Sequence, residues 1–234
     1  MAGGLHPIFI VEEAVKAIGL VDAHGHCLIP GNVLYSWTFM AVLITLAMMA
    51  TKKISIVPKG LQNFFEFLIG SLEDFVVANM GEDGRKVFPV LATLFIYILT
   101  CNAGGLVPGM DSPTANINTT ASMAVFIFVY YQYWGFKLHG AHYIHHFMGP
   151  VGWMAPLMFP IEVIGHFARM LSLSLRLFGN IRGEDIVLAL LFMLAPVVST
   201  IPMYFLFLLA DVIQAFVFFM LSMLYLKGAF EEAH

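Results

Sequence analysis

The chain alternates long apolar runs with short polar segments, and five apolar runs are predicted to form membrane-embedded helices. About 20 helical residues cross the hydrocarbon core of a bilayer, which is about 30 Å thick. The five predicted helices lie at residues 34–50, 87–107, 121–136, 152–194 and 203–226. We expect residues 1–33 to form an external segment. Residues 54–86, where acidic side chains alternate with Leu and Phe, are predicted to form an amphipathic helix at the membrane surface.

Composition indicates the same class of protein. Hydrophobic residues make up 60% of the chain and charged residues 11%, whereas charged residues are about 25% of an ordinary globular domain. We therefore predict one all-α polytopic membrane domain over residues 1–234. The net charge of −4 gives no reason to expect a nucleic-acid partner. Two cysteines, Cys27 and Cys101, lie too far apart in sequence to indicate a disulfide framework or a metal site.

The fourth predicted helix is too long for a perpendicular span. A continuous helix over 152–194 would measure about 60 Å, twice the thickness of the hydrocarbon core. Either it is broken, or it lies strongly tilted and forms a hairpin with the last helix. Pro156 and Pro160 could kink its inner end. We favour the tilted helix packed against another helix, because small residues permit close approach. The small residues in question are Gly165, Gly179 and Gly183.

This same helix carries a polar stripe. Six polar side chains fall within about a third of its circumference at roughly 100° per residue. They are Glu162, His166, Arg169, Arg176, Asn180 and Glu184. Ionisable groups at membrane depth are costly and usually line a pathway or pair with a partner. The stripe is therefore the first candidate for a functional site.

Arg176 is the centre of the stripe. Its guanidinium group stays protonated, so it cannot relay a proton, but it can hold a nearby carboxylate in the ionised form. Glu162 lies about 21 Å of helix to one side and Glu184 about 12 Å to the other. This arrangement suits two half-pathways that must not connect. In the alternative interpretation of Arg176, it forms a buried ion pair with Glu184 or Asp185. In the alternative interpretation of Glu162 and Glu184, both acids simply lie near lipid headgroups at the helix ends.

Other polar residues have a functional and a structural interpretation. His166 could titrate near neutral pH or could be a hydrogen-bonded packing residue. On the last helix, Asp211 and Gln214 are expected to face the stripe, although Gln214 could serve only as an interhelical hydrogen bond. The loop before residue 152 contains four histidines, for which we predict no metal site because no glutamate completes a zincin-type motif. These are His139, His142, His145 and His146.

Basic residues orient the chain. If the chain crosses the membrane five times, seven basic residues lie on one side of the membrane and Lys16 alone lies on the other. The seven are Lys52, Lys53, Lys59, Arg85, Lys86, Lys137 and Lys227. Because cytoplasmic segments are enriched in Lys and Arg, we expect the N-terminus outside the cell and the C-terminus in the cytoplasm.

Three separated motifs resemble one family in their order along the chain. Ser174-Leu-Arg-Leu-Phe-Gly-Asn180 is similar to the signature of subunit a of F-type ATP synthases. Pro113-Thr-Ala-Asn-Ile-Asn-Thr-Thr120 resembles the loop that precedes a transmembrane helix in that family. Gln214-Ala-Phe216, followed by Tyr225-Leu226, resembles its C-terminal helix.

The resemblance implies a non-catalytic stator subunit that moves protons in a rotary motor of the bacterial inner membrane and needs no cofactor. Its implied partners are the c-subunit ring, the b-subunit peripheral stalk and other ATP synthase subunits. Arg176 would separate two half-channels, with Glu162 towards the cytoplasm and Asn180 and Gln214 at family polar positions. The family often has an ionisable residue where this chain has Phe207. The resemblance leaves open whether Glu184 or Asp185 serves the outer half-channel.

Two other classes of protein would also carry polar groups in the membrane. A self-contained proton-coupled secondary transporter usually shows internal repeats and paired broken helices, and the sequence contains no convincing repeat. A structural membrane protein or metal-binding assembly factor would use the polar stripe only for packing. Loss of proton movement on replacement of Arg176 would separate these classes.

Overall fold

Six α-helices account for most of the structure, a computed structural model that describes residues 30–52, 59–107, 109–140, 155–194 and 200–230. The helices are α1 (Gly31–Thr51), α2 (Leu61–Met80), α3 (Gly84–Gly105), α4 (Ile117–His139), α5 (Ala155–Leu194) and α6 (Thr200–Phe230). The described ranges contain no strand. Apolar helix long enough to cross a membrane occurs at Gly31–Thr51, Leu61–Gly105 and Thr200–Phe230. The prediction of an all-α polytopic membrane protein is confirmed.

The boundaries of the membrane helices differ from the predicted ones by a few residues, and at the start of α4 the cause is a local cap. The polar residues before 121 were assigned to a loop, yet α4 begins at Ile117, since the Asn116 side chain accepts a hydrogen bond of 2.9 Å from the backbone N–H of Asn118. That bond satisfies one of the free donors at the start of a helix. α4 ends at His139, and its C-cap residue Gly140 has a φ of 54°, which favours glycine. The predicted external segment 1–33, apart from residues 30–33, and the loop histidines His142, His145 and His146 lie outside the described residues.

The long helix is continuous. α5 extends over 40 residues from Ala155 to Leu194 and passes through Pro160 as helix. The alternative of a broken helix is therefore wrong for residues 155–194. Only residues 195–199 separate α5 from α6, and the two helices contact each other, so they form the expected hairpin.

The apolar core lies where α3, α4, α5 and α6 meet, with one side of α2 against it. Its buried side chains include Ile98 of α3, Ile127 of α4, Leu177 of α5 and Phe218 of α6. Lipid is as apolar as these side chains, so close packing, rather than removal from water, holds such helices together. The core fixes the side of α5 that faces the bundle and so the direction of every polar group on that helix.

α1 packs at the periphery, against the end of α3. Phe39 of α1 lies over Gly104, where an added Cβ would stand 2.3 Å from the ring. α2 has two unlike sides, since Leu72 and Val76 are buried, whereas Phe64 and Phe67 are exposed. This asymmetry agrees with an amphipathic helix, and its position at the membrane surface stays a prediction.

Candidate functional site

The polar stripe of α5 lies along the boundary between the buried and the exposed side of the helix. His166 and Glu184 are buried against the bundle, whereas Arg169 and Arg176 are exposed. The stripe therefore faces in two directions, which its 100° spacing could not show. His166 contacts Tyr131 of α4 and Glu184 is buried against the bundle, whereas the central Arg176 is exposed.

One group of polar side chains, here called the histidine cluster, consists of Tyr131, Glu162, His166 and Arg169. The Tyr131 hydroxyl and His166 Nδ1 are hydrogen-bonded, and the two rings stack with centroids 5.6 Å apart. His166 Nε2 lies 3.4 Å from Glu162 Oε1, and the Arg169 guanidinium lies 3.9 Å from the same oxygen. His166 is thus both packed and connected to a carboxylate. Sequence reasoning did not single out Tyr131, which resembles its aromatic neighbours at the end of α4.

The histidine cluster opens into a cleft between α4, α5 and α6. The cleft is lined by Tyr131, His166, Arg169 and Tyr225, with apolar residues between them. Arg169 and Arg176 both lie within electrostatic range of the Tyr225 hydroxyl. The cleft therefore lies between the buried His166 of α5 and Tyr225 of α6.

Arg176 itself is exposed and forms no ion pair or hydrogen bond with another described residue. The acids that could have paired with it have other partners. Glu184 accepts a hydrogen bond of 2.7 Å from the Asn180 amide, and Asp185 lies 3.5 Å from the Arg182 guanidinium. The alternative of a buried ion pair between Arg176 and Glu184 or Asp185 does not occur in this structure.

The surface around Arg176 is made of small residues, and we call it the open face. Successive members are seven, four, three and four residues apart in sequence, which is the spacing of a helix–helix interface. They are Gly165, Ser172, Arg176, Gly179 and Gly183. A Cβ added at any of the three glycines would meet no described atom within 4 Å beyond the local helix backbone. No described helix of this chain fills the space that these small residues leave.

A second group of polar side chains, the acid cluster, consists of Asp111, Glu184, Asp185 and Asp211. Asp111 comes from the segment between α3 and α4, two of the acids come from α5, and Asp211 comes from α6. Each acid lies within electrostatic range of at least one other, and Arg182 acts on both Asp111 and Asp185. Gln214 is buried on α6 three residues after Asp211.

Hydrogen bonds of the segment between α3 and α4 hold Asp111 in this position. The Ser112 hydroxyl donates to the backbone oxygen of Cys101 at 3.0 Å, and Thr114 donates to the Asn102 side chain at 2.7 Å. Burial raises the pKa of the Asp111 carboxyl group, and the positive charge of Arg182 opposes that rise. The motif that begins at Pro113 therefore closes one end of the bundle and brings a carboxylate to α5.

Comparison with known proteins identifies the family. The family model described as ATP synthase A chain matches residues 33–227. A protein of Solidesulfovibrio magneticus named ATP synthase subunit a is 61% identical over 238 residues, covering all of both chains. Proteins of the same name from Nitratidesulfovibrio vulgaris and Syntrophobacter fumaroxidans are 56% and 49% identical, covering 100% and 98% of this chain and 100% and 99% of their own. The chain belongs to the ATP synthase subunit a family, whose members are membrane components of the complex that couples proton transport to ATP synthesis.

Proposed function

We propose that this chain is the proton-translocating stator of a rotary F-type ATP synthase and that Arg176 separates its two half-channels. The observation that carries the proposal is the position of Arg176. It stands exposed on the open face, without a partner among the described residues, and polar clusters lie on both sides of it along α5. A fixed positive charge in such a place needs a negative partner from another chain.

The physical role of Arg176 follows from its charge. A guanidinium group beside a carboxylate favours the ionised carboxylate and cannot itself pass on a proton. A ring carboxylate that stops opposite Arg176 must therefore have given up its proton. This prevents protons from crossing directly between the half-channels, so that net transport requires rotation of the ring.

The two polar clusters are the proposed half-channels. On the cytoplasmic side, Glu162, His166 and Tyr131 line the route that leads towards the ring. On the outer side, Glu184 takes the position nearest to Arg176, because Asn180 holds it by a 2.7 Å hydrogen bond. Asp185 is half-exposed and paired with Arg182, which suits the entrance rather than the transfer site.

Contacts between α4 and α5 support a tilted α5. Thr120, in the first turn of α4, is hydrogen-bonded to Ser174 at 3.2 Å, so the N-terminal end of α4 lies near the level of Ser174. α5 continues from Ser174 to Leu194, which is about 30 Å of helix. A perpendicular helix would extend beyond α4 by about the full thickness of the hydrocarbon core. A strongly tilted helix keeps this length within the membrane and along the surface of a ring.

The remaining assignments concern partners and direction. The c-subunit ring packs on the open face, and the b-subunit stalk fixes the chain against rotation in the bacterial inner membrane. The N-terminus is outside and the C-terminus is cytoplasmic, in agreement with the distribution of basic residues. Protons enter from outside during ATP synthesis, and ATP hydrolysis drives them outwards. Catalysis of ATP synthesis itself takes place on other subunits.

Cysteine cross-linking tests whether the ring lies on the open face. Ser172→Cys, Gly179→Cys and Gly183→Cys would each be combined with a cysteine beside the carboxylate of subunit c and oxidised in membranes. We expect a cross-link from the open face and none from Phe67→Cys, a control on α2, where Phe67 is 75% exposed. Absence of a cross-link at every open-face position would contradict the proposal.

A further inference from the structure

Asp211 is an unusual residue in this structure. It lies on α6, its exposed fraction is 0%, and neither carboxylate oxygen has a hydrogen-bond partner among the described residues. A buried carboxylate without donors is strongly destabilising in its ionised form. Packing alone gives no reason to keep such a group, because an apolar residue of similar size would fill the space without this cost.

The hairpin places Asp211 beside the acids of α5. Asp211 is about 16 Å of helix from the start of α6 at Thr200, and Glu184 is about 15 Å from the end of α5 at Leu194. The two carboxyl groups are therefore at the same depth on facing helices. Asp211 lies within electrostatic range of both Glu184 and Asp185.

The charges of the acid cluster do not balance. It contains four carboxyl groups, and Arg182 is the one cation within electrostatic range of Asp111 and Asp185. Carboxylates that act on one another electrostatically make it costly to ionise all of them at once, which favours a proton held within the cluster. Asp211 is the most deeply buried of the four and has no hydrogen-bond donor among the described residues. Its ionised form is therefore the least stabilised, and the proton resides most favourably on Asp211.

We propose that Asp211 is a further proton-carrying residue of the outer half-channel, where it exchanges a proton with Asp185 on one side and Glu184 on the other. This inference rests on the proposed function of the chain. Each transfer moves one proton from a carboxylic acid to a carboxylate, and the donor is left ionised until the next proton arrives. Because Asp211 forms no direct hydrogen bond with either acid, a bridging water carries the transfer.

The position of Asp211 gives the outer route a definite order. Asp111 and Asp185 are half-exposed and lie next to Arg182, so they form the entrance. Asp211 follows in the buried space between the helices. Glu184, held by Asn180, is the last acid before Arg176 and the ring.

The test uses the assembled ATP synthase in inverted membrane vesicles. ATP-driven proton pumping, and passive proton flux after removal of the catalytic sector, would be measured per assembled complex. Asp211→Asn keeps the size of the side chain but cannot exchange a proton. We expect it to lower both rates by about tenfold or more, since a positioned acid–base group contributes at least this much to proton transfer. Asp211→Glu, which keeps the acid, should restore most of the flux.

Two reference variants separate this inference from the proposed function. If Glu184→Gln lowers the flux and Asp211→Asn leaves the flux per complex unchanged, Asp211 carries no proton and the inference is overturned. If Arg176→Ala and Glu184→Gln also leave pumping unchanged, the proposed function itself fails. A purely structural role would lower the amount of assembled complex in Asp211→Asn without changing the flux per complex, and that result would also overturn the inference.

Discussion

Gly179 offers a quantitative test of the open face. A larger side chain there should leave the folding of this subunit unharmed but should weaken its packing against the ring. A side chain at Gly179 would meet no described atom within 4 Å. Within the subunit, Gly179→Leu should therefore be tolerated or stabilising, by up to about 1 kcal/mol from helix propensity. Against a ring that packs on the open face, the same side chain would be overpacked, which typically costs about 1–3 kcal/mol.

The expected effect on rotation follows from this penalty. Since about 1.4 kcal/mol changes a rate tenfold, Gly179→Leu should slow ATP-driven proton pumping about tenfold while the subunit still accumulates in the membrane. Pumping would be followed by quenching of a pH-sensitive dye in inverted vesicles, and subunit a would be quantified in the same vesicles by immunoblot.

Two other glycines supply the controls. Gly70 of α2 also has no described atom within 4 Å of an added Cβ, but it lies away from the open face, so Gly70→Leu should pump normally. Gly104→Ala would place a Cβ 2.3 Å from the Phe39 ring and should lower subunit accumulation instead. Normal pumping by Gly179→Leu would refute the idea that another helix packs on this surface.

Three further substitutions test the polar contacts. Tyr131→Phe removes the hydrogen bond to buried His166. We expect the free energy of unfolding to fall by about 1–3 kcal/mol, measured by thermal unfolding of the purified complex. An unchanged melting temperature would contradict this. Asn180→Leu removes the hydrogen-bond donor of Glu184 and should reduce proton pumping more than it reduces the amount of subunit. Dye quenching measures the first and immunoblotting the second. An equal loss of both would indicate a structural role. Thr114→Val breaks a buried hydrogen-bond chain and should lower subunit accumulation, whereas its pumping per complex should stay normal; selective loss of pumping would show that the segment has a direct role.

Much of the fold could be predicted from the sequence because membrane helices are recognisable as long, strongly apolar segments. The predicted helix bounds agree with the structure to within a few residues, apart from the amphipathic segment predicted over 54–86. Its helix ends at Met80, a short 3-10 turn follows at Gly81–Asp83, and α3 begins at Gly84. Errors arose where polar residues start a helix, as at Ile117, because Asn and Thr favour both loops and helix N-termini. Whether the long helix was broken or continuous could not be read from Pro160, since a proline is tolerated in a helix when neighbouring groups compensate for the lost hydrogen bond.

The functional site was only partly predictable. Helical periodicity predicted that Asn180 and Glu184 share one side of α5, and the structure joins them by a hydrogen bond of 2.7 Å. It could not show that Arg176 is exposed whereas Glu184 is buried, since that depends on which neighbours pack on α5. Likewise, the contact of Tyr131 with His166 joins residues 35 positions apart. No local pattern in the sequence carries that information.

The central claim is that Arg176 keeps the two half-channels apart, and proton pumping by Arg176→Ala tests it most directly. The complex should assemble normally, because the Arg176 side chain has no partner among the described residues of its own chain. ATP-driven pumping in inverted vesicles should be abolished. Arg85→Ala is the control, since Arg85 is an exposed arginine of α3 outside both polar clusters, and it should retain substantial pumping. Undiminished pumping by fully assembled Arg176→Ala complexes would contradict the account.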